Sequence, residues 1–448
     1  MLVRGLTNRE QSHSFAKNSR FRWQFPLNYG KIIFESKSPG GSDFLKLKGN
    51  LLYGQSGGPT AVINASAYGV FDEAKQHPQI EDVIAMRHGI VGALNEDFIF
   101  LNEQSEEDIE LLKHTPGAAF GSIRHKLEDF RKDDSTYVRL LYIFKKYNIR
   151  YFLYNGGNDS MDTCKKIAEY MDQIDYDCFI MGVPKTIDND LPHFDHTPGY
   201  GSAAKYVANT MMEIGRDMIA YPKSKVTIAE IMGRHAGWLT ASSALAGLDG
   251  YGPDLIYLPE VPFSIDRYKN DIKRIYAKRK QCLVAVSEGI RNEEGIYVSS
   301  SSGLKDAFGH FQLGGVSSKL AATVTADLGI PSRSVEFGST QRAASHIQSL
   351  TDINEAIQVG REAVKHVAAG TTNKVVTMQR KSNDPYEIEY KLLDLSACAN
   401  LERKMPASMI NKNGNHVTKA FIDYAKPLIA GEHPAIYKAG IQQFSKIK

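Results

Sequence analysis

Short apolar runs and longer amphipathic stretches alternate from about residue 50 to residue 380. The runs are NLLYG (50–54), VIAMRHG (83–89), RYFLYN (150–155), CFIMGVP (178–184), KVTIAEIM (225–232), CLVAVSEG (282–289), RSVEFG (333–338) and KVVTMQR (374–380). Most are nearly continuous in apolar residues instead of strictly alternating, as expected of strands covered on both faces. Helical spacing marks 159–173, 201–220, 236–247, 264–280, 316–328 and 353–368. The alternation predicts an α/β fold whose mostly parallel sheets are sandwiched between helices. Ligands of such folds bind at the C-terminal strand ends, so the loops after each run are where chemistry is sought.

Size and charge then narrow the picture. A chain of 448 residues exceeds one ordinary core and points to two domains. A net charge of +3 gives no case for nucleic acid or an anionic membrane. No apolar run reaches the roughly 18 residues of a membrane span. Cys164, Cys178, Cys282 and Cys398 form neither a CxxC pair nor a Cys/His cluster. Reduced, packed thiols in a cytoplasmic protein are therefore expected. Residues 1–46 differ from the rest: MLVRGLTNREQSHSFAKNSRFRWQF is basic, Ser-containing and aperiodic. A disordered extension is expected there, although transit peptides share this composition.

Polar clusters fall at the ends of the apolar runs. GQSGGPTAVINAS (54–66) reads equally as a phosphate loop or a tight strand-to-helix turn, with Pro59 suited to a first helical turn. YNGGNDSMDT (154–163) repeats the plan: strand, Gly156–Gly157 turn, helix start. Backbone N–H groups and a helix N-terminus favour an anion there, yet Asp159 adds a carboxylate. MGVPKTIDNDLP (181–192) is more telling. Asn and Asp alone would make an ordinary turn. With Lys185 and Thr186 beside Asp188 and Asp190, the cluster supplies what phosphoryl transfer needs: a cation for phosphates, a hydroxyl, and a carboxylate for a proton or a metal. IMGRHAGW (231–238) ends another run, and Arg234 could clamp a phosphate. Glu230, inside that run, is odd for a core position. Trp238 and His235 are expected to be structural. Glu288, Arg333, Arg342 and Arg124 complete a set of strand-end groups that suits a polyanionic ligand.

GGNDS, PKTIDND, IMGRHAGW and QR, in that order, carry a resemblance. The chain resembles the phosphofructokinases over roughly residues 47–445, and most closely their pyrophosphate-dependent branch. The resemblance implies two Rossmann-like three-layer domains. A phosphoryl-donor domain would span 47–190 with a later returning segment, a sugar-phosphate domain 191–350, and 351–448 would pack back on the core. It implies Mg²⁺-dependent, reversible, glycolytic transfer from pyrophosphate to the C1 hydroxyl of fructose 6-phosphate. Asp188 would accept the hydroxyl proton, flanked by Thr186, Ile187 and Asp190. Met232, Gly233 and Arg234 would touch the sugar phosphate, and Glu288 a sugar hydroxyl. Lys225 stands where an Arg reaches the 6-phosphate across a subunit boundary, and Arg333 and Arg342 match two more phosphate-binding positions. A symmetric homodimer or homotetramer is therefore expected. Gly57, Gly58, Arg124 and Gly157 would hold the donor.

ATP-using relatives usually carry Gly where this chain has Asp159 and Lys185. The Asp would exclude the α-phosphate of ATP by bulk and charge, and Lys185 would neutralise pyrophosphate. Two departures bear on the site. Asn158 stands where many members have a metal-binding Asp, so Asn158 and Asp190 are the candidate metal ligands. Ser339 replaces a His beside the sugar phosphate. The alternatives are an ATP-dependent phosphofructokinase and a non-catalytic sugar-phosphate-binding paralogue. A dinucleotide oxidoreductase is excluded, because no GxGxxG follows a strand with an acid about 20 residues on.

Overall fold

Among the described residues, eleven segments form the two main sheets: β1 (Gly49–Gln55), β2 (Ile80–Met86), β3 (Phe98–Phe100), β4 (Ile149–Gly156), β5 (Phe179–Pro184), β6 (Val226–Ile231), β7 (Leu255–Tyr257), β8 (Cys282–Ser287), β9 (Ser332–Glu336), β10 (Lys374–Asn383) and β11 (Tyr386–Asp394). The structure, a computed structural model, describes residues 47–299 and 313–448. The expected disordered extension at 1–46 lies outside the described residues.

The first sheet has seven strands in the order β11-β10-β5-β4-β1-β2-β3. Its centre is parallel, and the pairs β2–β3 and β10–β11 are antiparallel. The second sheet has four parallel strands in the order β7-β8-β6-β9. Most of the apolar runs became interior strands; β5, β6 and β8 are buried at every residue, the condition that selects such runs, whereas the run at 333–338 became the half-exposed edge strand β9.

Helices cover both faces. On the first sheet, α1 (Ile63–Ala74) lies to one side, and α2 (Ser135–Lys146) and α3 (Asn158–Gln173) to the other. Strand residues sort by parity: Leu51 and Tyr53 join the apolar cluster of α1, whereas Leu52 joins that of α2 and α3. The second sheet is flanked by α4 (Tyr200–Met218) on one face, and by α5 (Ile265–Arg279) and α6 (Val316–Leu328) on the other. Helix α7 (Leu350–Ala368) then returns to the first sheet and packs on α1. Two glycines allow that close crossing: a Cβ on Gly69 would lie 2.0 Å from Ile357 O, and one on Gly360 2.2 Å from Ser66 O.

Some local expectations needed correcting. The helix expected over 236–247 is four residues long (Trp238–Ala241) and continues as a 3₁₀ segment, Ser242–Asp249. Ser242 and Ser243 turn their hydroxyls back to Leu239 O (2.6 Å) and Thr240 O (2.7 Å), which favours the tighter turn. Glu230 is buried and accepts from Ser317 N (2.9 Å) and Ser317 Oγ (3.0 Å), so it caps α6. All four cysteines are free and buried. Among the described residues no helix is long and apolar enough to cross a membrane.

Candidate active site

The C-terminal ends of β1, β4, β5, β6 and β8 open on a cleft of about 940 Å³. On its first-sheet side, the turn after β1 carries Gly57 and Gly58. Gly57 has φ 77°, a left-handed conformation that a side chain would strain. Into this turn runs Lys185, the residue following β5. Its ammonium donates to Ser56 O (2.8 Å) and Gly58 O (2.6 Å), and the residue is 2% exposed. Burial, and then the Arg124 guanidinium nearby, push Lys185 down to about 7. The Gly156–Gly157 turn leads directly into α3. Asn158 Oδ1 accepts from Asp159 N (2.8 Å), and Gly157, Asn158, Asp159 and Arg124 all line the cleft.

Asp188 and Asp190 occupy the loop after β5, with Thr186 Oγ1 accepting from Asp188 N at 3.1 Å. Both residues are half-buried in the cleft wall. Burial raises Asp188 above the usual carboxylate range, opposed by Arg234, Lys185, Arg124 and Arg342. Asp190 is raised to about 8 by burial and by the like charges of Asp188 and Glu402. Such a pair is the electrostatic demand a cation relieves. The oxygens available to one are those of Asp188, Asp190 and Asn158, although among the described residues no three His, Cys, Asp or Glu side chains converge as a ready-made metal site.

The second-sheet side brings Met232 and Arg234 from the end of β6 and Glu288 from the end of β8. Burial and Asp188 push Glu288 up to about 7. Arg342 reaches the cleft from the short helix Thr340–Ala343, which is tied to β6 by the Met232 N bond to Gln341 Oε1 at 3.1 Å. Burial and Arg124 lower Arg342. Ser339 and Ile187 also face the cleft. Gly233 lies just behind, its carbonyl accepting from Ser287 Oγ.

Two anticipated residues are elsewhere. Lys225 is exposed and precedes β6, at the opposite end of that strand from Met232. Arg333, on β9, donates to Thr227 Oγ1 and Asp217 Oδ2, both at 3.1 Å. Neither lines this cleft. Conversely, the cleft contains Lys126, Ser160, His235, Asn400, Leu401 and Glu402, which were not singled out as ligand-facing. His235 Nδ1 lies 2.8 Å from Glu402 Oε1, so the residue expected to be purely structural belongs to the cleft wall. Its place within IMGRHAGW was a usable signal. Glu402 had none: CANLERKMP has no period and no motif. Trp238 packs, as expected, at 2% exposure.

Residues 50–367 match the family model described as Phosphofructokinase. The chain is 41% identical over 402 residues to the pyrophosphate–fructose 6-phosphate 1-phosphotransferase of Halomonas elongata, covering 89% of this chain and 96% of that one. Identity to the protein of that name from Xanthomonas campestris pv. campestris is 43% over 407 residues, with 89% and 96% covered. Among solved structures, the pyrophosphate-dependent phosphofructokinase from Marinobacter aquaeolei superposes with a TM-score of 0.81 at 40% identity, covering 89% of this chain and 96% of its own.

Proposed function

The chain belongs to the phosphofructokinase family, and we propose that it moves a phosphoryl group from pyrophosphate to the C1 hydroxyl of fructose 6-phosphate. The products are fructose 1,6-bisphosphate and phosphate. The observation that carries this reading is the donor end of the cleft. There Lys185 is sunk into the Ser56–Gly58 turn, and Asp159 stands in the first turn of α3. A carboxylate at that helix start opposes a nucleotide α-phosphate, while the buried ammonium compensates the shorter pyrophosphate. The relatives reported above are named for pyrophosphate, not ATP.

In the transfer, the Asp188 carboxylate takes the C1 hydroxyl proton. The oxygen thus freed bonds to the nearer phosphorus as the bridging P–O bond breaks, and phosphate leaves with the bridging oxygen. Lys185 and Arg124 hold the pyrophosphate, with the Gly57–Gly58 and Gly157 turns at its backbone contacts. Arg234 offsets charge on the transferring group, and Glu288 and Met232 orient the sugar. Such chemistry depends mainly on positioning and electrostatics. Asp190 and Asn158, with Asp188 adjacent, suit Mg²⁺: an all-oxygen set with few carboxylates leaves room for phosphate oxygens and water. When bound, Mg²⁺ would supply positive charge across the pyrophosphate oxygens.

The first sheet, with β10 and β11 returning to it, takes the donor role, and the second sheet the sugar-phosphate role. Arg342 meets the 6-phosphate from within the chain. Lys225 and Arg333 serve the cleft of a second copy in a symmetric, cytoplasmic homodimer or homotetramer. The test is fructose 1,6-bisphosphate formation with Mg²⁺ and either pyrophosphate or ATP. Activity with pyrophosphate alone is expected. Activity with ATP alone overturns the donor assignment, and silence with both overturns the function.

A further inference from the structure

After β11 the segment 400–405 runs past the cleft without regular secondary structure. Arg403 is at its middle and does not line the cleft. Its backbone N–H donates to Asp190 O at 2.6 Å. Its Nη2 donates to Asn189 O at 2.9 Å, and its Nη1 to Asp195 O at 2.9 Å and to Phe194 O. All four acceptors are main-chain carbonyls of the loop that carries Asp188 and Asp190.

The same side chain reaches the other wall. Its guanidinium lies over Trp238, 4.4 Å from the ring centroid, and Trp238 Nε1 donates back to Arg403 O at 3.3 Å. Trp238 closes the loop that begins with Arg234. A neighbouring tie reinforces the junction: Glu260 Oε1 accepts from Gly237 N (2.8 Å) and Met405 N (3.0 Å). Tyr424 braces the Asp188 loop from behind. Its hydroxyl donates to Asp195 O at 2.7 Å and accepts from Asn189 Nδ2 at 2.8 Å.

The loop needs such a brace. Asn189 is held at φ 55°, a left-handed conformation sparsely used by residues other than glycine. The loop's carbonyls also have to be satisfied within the protein, because Asn189 and Phe194 are buried. One planar, permanently charged fork meets three of them and stacks on an indole at once, which a lysine cannot do.

We propose that Arg403 is a positioning residue: it fixes Asp188 and Asp190 relative to Arg234 across the cleft without touching substrate. The inference rests on the functional reading above, in which Asp188 takes the proton and Arg234 meets the transferring group. Displacing a reacting group by about 1 Å costs on the order of a hundredfold in rate, and substrate affinity need not change with it.

The experiment compares wild type, Arg403→Ala and Arg403→Lys in steady-state kinetics with pyrophosphate, fructose 6-phosphate and Mg²⁺. Hydrogen exchange of the 186–195 amides is followed in parallel. For Arg403→Ala, kcat is expected to fall between about tenfold and a hundredfold, with both KM values within about twofold and the loop amides exchanging faster. Guanidinium ion added to Arg403→Ala is expected to restore part of kcat, and Arg403→Lys to remain impaired. An unchanged kcat, or a loss confined to KM, overturns the proposal. Should Arg403→Ala not fold, Tyr424→Phe removes only the hydroxyl that braces the same loop. A several-fold drop in kcat is then expected, and an unchanged kcat is again fatal. An inactive wild type would defeat the functional reading instead, whereas an active wild type with an indifferent Arg403→Ala defeats this inference alone.

Discussion

The two walls of the cleft differ in self-sufficiency. On the first-sheet wall, the buried ammonium of Lys185 is anchored in its own chain's glycine turn, and Asp188 and Asp190 follow from the same strand end. The second-sheet wall brings Met232, Arg234 and Glu288 to the cleft but leaves Lys225 and Arg333 outside it. One wall can be assembled by a single chain. The other lacks, within that chain, part of the positive charge expected for a sugar phosphate.

Substitutions can break or sharpen that contrast. The largest effect is expected at the junction of the walls: Asp188→Asn should lower kcat by roughly a hundredfold or more, as loss of a general base does. Near-normal turnover would remove Asp188 from the chemistry. Next, replacing Asp159 and Lys185 together by Gly alters only the self-sufficient wall. Pyrophosphate use should fall by about tenfold or more while ATP use appears, an exchange of donors that paired rates would reveal. An unchanged donor preference would mean the pair does not select it.

Lys225→Ala tests the other wall. The KM for fructose 6-phosphate should rise about tenfold, on the scale of one lost charge-assisted contact, with the pyrophosphate KM within twofold. A change in the pyrophosphate KM instead would deny the division between walls. The smallest effect concerns pH. Because burial pushes Lys185 down to about 7, raising the pH from about 7 to about 9 neutralises it in the free protein and pyrophosphate then meets an uncharged amine. Its KM should climb a few-fold over that interval and binding should take up a proton, which calorimetry in buffers of different ionisation enthalpy detects. In Lys185→Met the climb should be absent.

How legible each part was follows from its physics. Most of the eight apolar runs were readable because strands buried on both faces admit little else; all eight are strands, although RSVEFG became β9, a half-exposed edge strand. β3 and β7, three residues each, are too short to show a period. β11, YEIEYKLLD, was missed because an edge strand keeps charges along its exposed positions. The site was legible wherever a motif ended a strand: Lys185, Asp188, Arg234 and Glu288 all reach the cleft. Arg403 and Glu402 were not, since Arg403 meets the Asp188 loop across 214 positions of sequence from a segment without regular structure. Nor does a motif reveal which end of a strand its neighbours occupy. Lys225 and Met232 flank one strand, and the length of β6 separates them.

That separation has a genetic consequence. In the proposed symmetric assembly, a site draws Asp188 from one copy and Lys225 from the next. Two defective alleles, Asp188→Asn and Lys225→Ala, would therefore complement each other. When the two proteins are mixed and allowed to exchange subunits, each hybrid pair contains one site with an intact Asp188 and a partner's intact Lys225. Its other site carries both lesions. Activity at low fructose 6-phosphate would then return from two preparations that each lack it.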